Sequence, residues 1–206
     1  NVPRKIREVI PNAKIIILLR EPISRGFSHY LMDYKLGLID EHYENIIYKK
    51  STHKNLNLYY QQYVELGLYY EQIKRYLDAF DREQVKIILQ EDLYKNTEKV
   101  IKDIFTFLKV EDSIIPDISS NHNVFSAPKN KIIRKIYSIN RIRSAISIIT
   151  PTKLKKNIKK IFFKYGAKPV LDFEVKKYLL NIYIDDIEKL ESLLKFDLSK
   201  WKDLNE

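Results

Sequence analysis

The stretch Lys14-Ile-Ile-Ile-Leu-Leu-Arg20-Glu-Pro22-Ile-Ser-Arg25-Gly-Phe-Ser28-His-Tyr30 decides how the chain is read. Residues 15–19 are an unbroken apolar run, short enough for a strand covered on both faces of a parallel sheet. Pro22 stands where a first helical position is expected. Its fixed φ suits a helix start, and its missing N–H would have no partner there. Arg20 therefore falls at the carboxyl end of a strand, beside a helix N-terminus. That edge of an open α/β sheet is where ligands bind. Free N–H groups and the helix dipole favour an anion there.

Outward from this stretch, the helix is expected over residues 22–35, with Gly37 as its stop. Ile23, Phe27, Tyr30, Leu31 and Tyr34 recur at helical spacing and are expected to face the sheet. Arg25, Ser28 and Met32 lie on another stripe. Upstream, a short helix over residues 5–10 ends at Pro11. Residues 38–64 are polar, tyrosine-rich and weakly periodic, with room for short helices such as 41–49. A segment of that kind often carries an acceptor site. Residues 67–70 open a helix to about Phe80, a turn covers 81–84, and 85–90 form a second strand rich in β-branched residues. Glu91 and Asp92 after it are read as capping groups. Asn96 or Thr97 caps a helix to Leu108 that buries Val100, Ile101, Ile104, Phe105 and Leu108. This alternation favours an α/β fold with a parallel sheet.

Ile132, Ile136, Ile139, Ile142, Ile146 and Ile149 then fall three or four apart, as on one helix face. Residues 153–164 read as a basic helix, and Asp172 as the cap of a last helix to Leu194 with a tail ending at Trp201. With 206 residues and 45% hydrophobic content, the chain can bury a sizeable core. It has no cysteine, which excludes disulfides and thiolate chemistry and suits a reducing compartment. No apolar run is long enough for a membrane span, so the localisation expected is cytoplasmic. Residues 118–171 hold no Asp or Glu but 13 Lys and Arg, more than the whole net charge of +10. A one-signed segment points to an anionic partner. The alternative is a solvated face of lysine-rich helices.

Arg20-Glu-Pro22-Ile-Ser-Arg25-Gly-Phe-Ser28-His-Tyr30 resembles the 3′-phosphate-binding motif of sulfotransferases that use PAPS, 3′-phosphoadenosine 5′-phosphosulfate. That motif is a strand followed by Arg-x-Pro-x-x-Arg-x-x-Ser-x-Tyr. Downstream, Gly67-Leu-Tyr69, the block from Val85 through Glu91-Asp92-Leu93 to Phe105-Thr-Phe-Leu108, and Leu190 to Trp201 resemble further family blocks in the same order. The members most similar are the bacterial and carbohydrate-type enzymes. The fold implied is α/β: a three-layer, P-loop-NTPase-like parallel sheet flanked by helices, partly present, with a helical, basic C-terminal part. The resemblance covers most of the chain, and residues 1–206 are expected to form a single sulfotransferase-like domain that is incomplete at its N-terminus. The family's 5′-phosphosulfate loop has no counterpart here, and the chain has only 4 Gly. That loop and the catalytic base are expected upstream of Asn1.

The resemblance implies that Arg20 and Ser28 hold the 3′-phosphate. Lys129, in the stretch Ala127-Pro-Lys129-Asn130 where the family closes a late loop over the cofactor, is the further phosphate contact, with Lys131 and Arg134 as runners-up. The donor implied is PAPS and the product PAP, without a metal. The acceptor is a hydroxyl compound, most readily a carbohydrate. Arg25 is expected in a structural ion pair, His29 in local packing or bonding and Tyr30 in the core. The competing functions are a basic module that binds nucleic acid or an anionic surface, and an inactive sulfotransferase remnant. No recognised nucleic-acid motif occurs in the basic segment.

Overall fold

The apolar run at residues 15–19 forms a strand, and the chain turns from it into a helix that starts at Pro22. A computed structural model describes residues 2–111, 126–139, 162–166 and 168–204. Its elements in chain order are α1 (Val2–Val9), β1 (Ile15–Leu19), α2 (Pro22–Lys35), α3 (Tyr43–Ile47), α4 (Leu56–Tyr63), α5 (Tyr70–Leu77), β2 (Val85–Leu89), α6 (Gln90–Lys95), α7 (Thr97–Leu108), β3 (Ser126–Pro128), α8 (Lys131–Ser138), β4 (Phe163–Tyr165) and α9 (Phe173–Leu194). The chain divides into two compact units. One comprises Asn1–Ser24, Leu66–Asn121 and Leu180–Glu206; the other comprises Arg25–Glu65 and His122–Leu179.

The first unit holds the parallel pair. Ile15 lies opposite Val85 and the register continues to Leu19 opposite Leu89. Parallel neighbours need a crossover connection, so the pair and its helices fit the α/β class expected. The expectation that β1 is covered on both faces fails. Ile16 and Leu18 are 40% and 50% exposed, while Leu19 is buried. Side chains alternate across a strand, so one face is open, and among the described residues only β2 pairs with β1. Gln84 ties the two strand entrances together: its amide donates to Pro11 O at 2.9 Å and Ala13 O at 3.2 Å. The start of α5 is capped from α9, because Asp186 accepts the Tyr69 and Tyr70 N–H groups at 2.6 and 3.1 Å.

Two local expectations are corrected in this unit. Asn96 makes no side-chain cap on α7. Thr97 instead donates its hydroxyl back to Leu93 O at 2.7 Å. The apolar face of α7 is only half-buried, and Leu108 is exposed. Its C-terminus is closed by Lys109 at φ 59°, the left-handed conformation that lets the chain reverse.

In the second unit the apolar face of α2 packs on other aromatic residues. Phe27 and Tyr30 lie 5.2 and 5.0 Å from the Tyr43 ring, and Tyr59 stacks on Tyr63 at 6.0 Å. All five rings are buried. Much of the tyrosine in residues 38–64 is thus core. Gly26 lets α2 approach the end of α4, since a Cβ there would sit 2.1 Å from Tyr63 O. Among the described residues Arg25 forms no ion pair; its guanidinium donates to Gln62 O and Tyr63 O at 2.9 and 3.1 Å. The carbonyls that end a helix lack intrahelical donors, and Arg25 supplies one.

β3 and β4 pair antiparallel. β4 takes Phe163 and Lys164, where the end of a basic helix was expected. Asn130 caps α8 by accepting Ile133 N–H at 2.8 Å. Ile132 and Ile136 on that helix, and Ile139 just after it, are exposed. Ile142, Ile146 and Ile149 and most of residues 153–164 lie outside the described residues. Asp172 caps α9 by accepting Glu174 N–H at 2.8 Å, as expected.

After α9 the chain is pinned by Glu191, which accepts Leu198 N–H and the Lys202 ammonium, each at 2.8 Å. The Lys202 bond first, and the Leu198 N–H second, hold its carboxyl below the usual range. A depressed carboxylate contributes stability that is present above its unfolded pKa and lost as pH falls through the folded one. Thermal unfolding between pH 7 and 3 is expected to show a smaller loss of Tm on acidification in Glu191→Gln than in the wild type.

Candidate anion-binding site

Arg20 is the first residue past β1 and is half-buried. Its carbonyl accepts the Tyr69 hydroxyl at 2.9 Å, and Trp201 meets the Tyr69 ring edge-on at 6.0 Å. These contacts fix the backbone from which the guanidinium extends. Arg20 lines a cavity of about 180 Å³ with Leu19, Ser24, Glu91, Tyr94 and Trp201 among its walls. Among the described residues Arg20 makes no ion pair.

The helix start beside it differs from expectation. Glu21 turns its carboxylate onto the free amides of α2, accepting Ile23 N–H at 2.7 Å and Ser24 N–H at 2.6 Å. The dipole end is therefore already satisfied by an internal anion. A bound anion would be held by the Arg20 fork and by hydroxyls, not by bare N–H groups. Glu91 does not act as a cap: it sits in the first turn of α6 and lines the same cavity.

Ser28 belongs to the second unit. Its Oγ accepts from the Lys168 ammonium at 2.8 Å, and that ammonium lies 5.1 Å from the Phe27 ring centroid. Lys168 was not singled out from the sequence. It is one of 13 basic residues in its window and lies 140 positions from Ser28, so no local pattern marks it. Next to Ser28, His29 turns its Nε2 to 3.6 Å from Asp33 Oδ2. The buried Asp33 carboxylate also accepts the Tyr63 hydroxyl at 2.8 Å. Burial first, and this bond second, push the Tyr63 hydroxyl well above its ordinary pKa. His29 packs locally, its ring edge-on to Tyr63 at 5.3 Å, and Tyr30 is core, both as expected.

Of the late basic candidates, Lys129 is exposed, with its backbone N–H on Phe162 O at 3.0 Å. Arg134 is buried in structural work. It pairs with Asp40, and its guanidinium lies 4.2 Å from the Tyr34 ring centroid. Lys131 is the first residue of α8.

A family model described as the sulfotransferase domain matches residues 3–191 of the chain. The chain belongs to the sulfotransferase family. It is also similar to a solved structure, the sulfotransferase from Alicyclobacillus acidocaldarius, at 25% identity and a TM-score of 0.64. That match covers 98% of this chain and 62% of the other, so the chain spans less than two thirds of that sulfotransferase. None of the curated proteins compared matches. For this sulfotransferase-family chain, the small parallel sheet among helices is the partial P-loop-like α/β arrangement expected. Among the described residues, no helix is long and apolar enough to cross a membrane.

Proposed function

We propose that the chain binds PAPS and its product PAP, and that it serves sulfuryl transfer from PAPS to a hydroxyl of a carbohydrate acceptor. Arg20 and Ser28 hold the 3′-phosphate, and Lys129 contributes a further cation. The observation that carries this reading is Arg20, the first residue of the family's phosphate motif, lining a cavity with no ion pair of its own among the described residues. A guanidinium presents a rigid fork that matches phosphate oxygens two at a time. Lys168 supports the same reading, since it gives the Ser28 hydroxyl a cationic neighbour. We place it with Ser28 as a phosphate-binding residue.

In the reaction, the acceptor oxygen forms a bond to sulfur as the bond from sulfur to the phosphate oxygen of PAPS breaks. The acceptor proton passes to a base, which we assign to no residue of this chain. Positioning and charge stabilisation carry such a transfer, as they do in phosphoryl transfer. Charge-assisted hydrogen bonds contribute about 1.5–3 kcal/mol. Calorimetric titration with PAP at moderate salt is therefore expected to show affinity falling about 10- to 100-fold in Arg20→Ala. Equal affinity in the two proteins would remove Arg20 from the site. Tight, steeply salt-dependent DNA binding in place of PAP binding would favour the basic-module reading.

A further inference from the structure

A cavity of about 390 Å³ in the second unit is lined by Lys49, Asn57, Leu58, Tyr60, Gln61 and Glu65. None of these residues belongs to the anion site. Asn57 and Gln61 are one turn apart on α4, so their amides leave the same face of the helix. Among the described residues, neither amide nor the Glu65 carboxylate has a hydrogen bond or ion pair, and all three are exposed. Tyr60 lies between them on the sequence of the helix, half-buried, with the Lys49 ammonium 3.9 Å from its ring centroid. Tyr48 meets the Tyr178 ring edge-on at 4.9 Å, and Lys50 sits 5.2 Å from the Tyr48 centroid.

Spare donors and acceptors beside aromatic and aliphatic surface suit a ligand with hydroxyls on its rim and C–H groups on its faces. That is the chemistry of a sugar ring. The volume falls in the range of small-molecule sites. An apolar ligand would leave the amides unpaired. A polyanion fits poorly, because the single cation of the lining, Lys49, is balanced by the Glu65 carboxylate. We propose that this cavity is a saccharide-binding subsite that takes a neutral di- or oligosaccharide through its hydroxyls. Its role in holding an acceptor rests on the sulfuryl-transfer reading above; its saccharide chemistry does not.

The test is saturation-transfer NMR of the full chain with lactose and with N,N′-diacetylchitobiose. Saturation of the sugar-ring protons is expected for at least one of the two. Affinity should weaken about fivefold or more in Tyr60→Ala and in the double variant Asn57→Ala/Gln61→Ala. Alanine raises helix propensity at both positions of the double variant, so that protein keeps α4, which circular dichroism checks. The subsite is overturned if neither sugar binds, or if the double variant binds as the wild type does. Displacement of the sugar by a single-stranded oligonucleotide, with steep salt dependence, overturns it in favour of a polyanion surface. A PAP titration of the same sample separates the two proposals. PAP binding without saccharide binding sinks the subsite alone, and saccharide binding without PAP binding sinks the phosphate anchor alone.

Discussion

Replacing Gly26 with alanine is expected to lower the stability of the chain by about 3 kcal/mol or more. The added Cβ would lie 2.1 Å from Tyr63 O, 3.2 Å from Tyr63 C and 3.3 Å from the Tyr43 hydroxyl oxygen. The nearest of these is backbone, which cannot swing away as the tip of a flexible side chain can. The same carbonyl is held by the Arg25 guanidinium, so moving it costs that bond too. Around the contact lie the buried rings of Phe27, Tyr43, Tyr59 and Tyr63, and close-packed interiors transmit such a shift. Urea unfolding followed by circular dichroism measures the effect as a lower midpoint. Gly166→Ala is the control, because nothing lies within 4 Å of a Cβ there. It should change stability by no more than about 0.5 kcal/mol.

Trp201→Ala is expected to cost about 3–5 kcal/mol, the range for truncating a large buried aromatic. Trp201 is 3% exposed in the short 3-10 turn Ser199–Lys202 that follows α9. Its indole also packs on Tyr69, whose hydroxyl holds the Arg20 carbonyl, and forms a wall of the Arg20 cavity. A second effect therefore accompanies the loss of stability: PAP affinity should fall even at temperatures where the variant is fully folded. Tyr69→Phe separates the two causes. It removes the hydroxyl that bonds Arg20 O, costs about 1 kcal/mol, and leaves the ring in place against Trp201. A Trp201→Ala protein that unfolds earlier yet binds PAP as tightly as the wild type would show that this wall does not hold Arg20.

The parts of the fold that were legible in the sequence are those governed by local chemistry. Pro22 starts α2, Gly37 at φ 68° follows its end, and Asp172 caps α9, each at the expected place. The strand pair was legible because short β-branched and apolar runs flank helical patterns. What could not be read depends on contacts far apart in sequence. Nothing local says that Ile16 and Leu18 lie on an open face, since burial on the second face is decided by what packs there. Glu21 looked like an ordinary residue between Arg20 and Pro22, yet it takes the helix-start amides expected for a ligand. The tyrosines of residues 43–63 were equally compatible with a sugar-stacking surface and a core. Tyr43, Tyr59 and Tyr63 form core, whereas Tyr48 and Tyr60 remain partly exposed. Of the proposed phosphate contacts, Arg20 and Ser28 come from one contiguous motif. Lys168 reaches Ser28 across 140 residues, and its sequence neighbourhood carries no sign of it.

Recognition of a 3′-phosphate is the role proposed for the motif that begins at Arg20. The most direct test compares PAP with adenosine 5′-monophosphate, which lacks the 3′-phosphate, in calorimetric titrations of the wild type and Arg20→Ala at one salt concentration. The wild type should bind PAP at least about tenfold more tightly than the monophosphate, and Arg20→Ala should lose that preference. Equal affinity of the wild type for the two nucleotides, or an undiminished preference in Arg20→Ala, would contradict it.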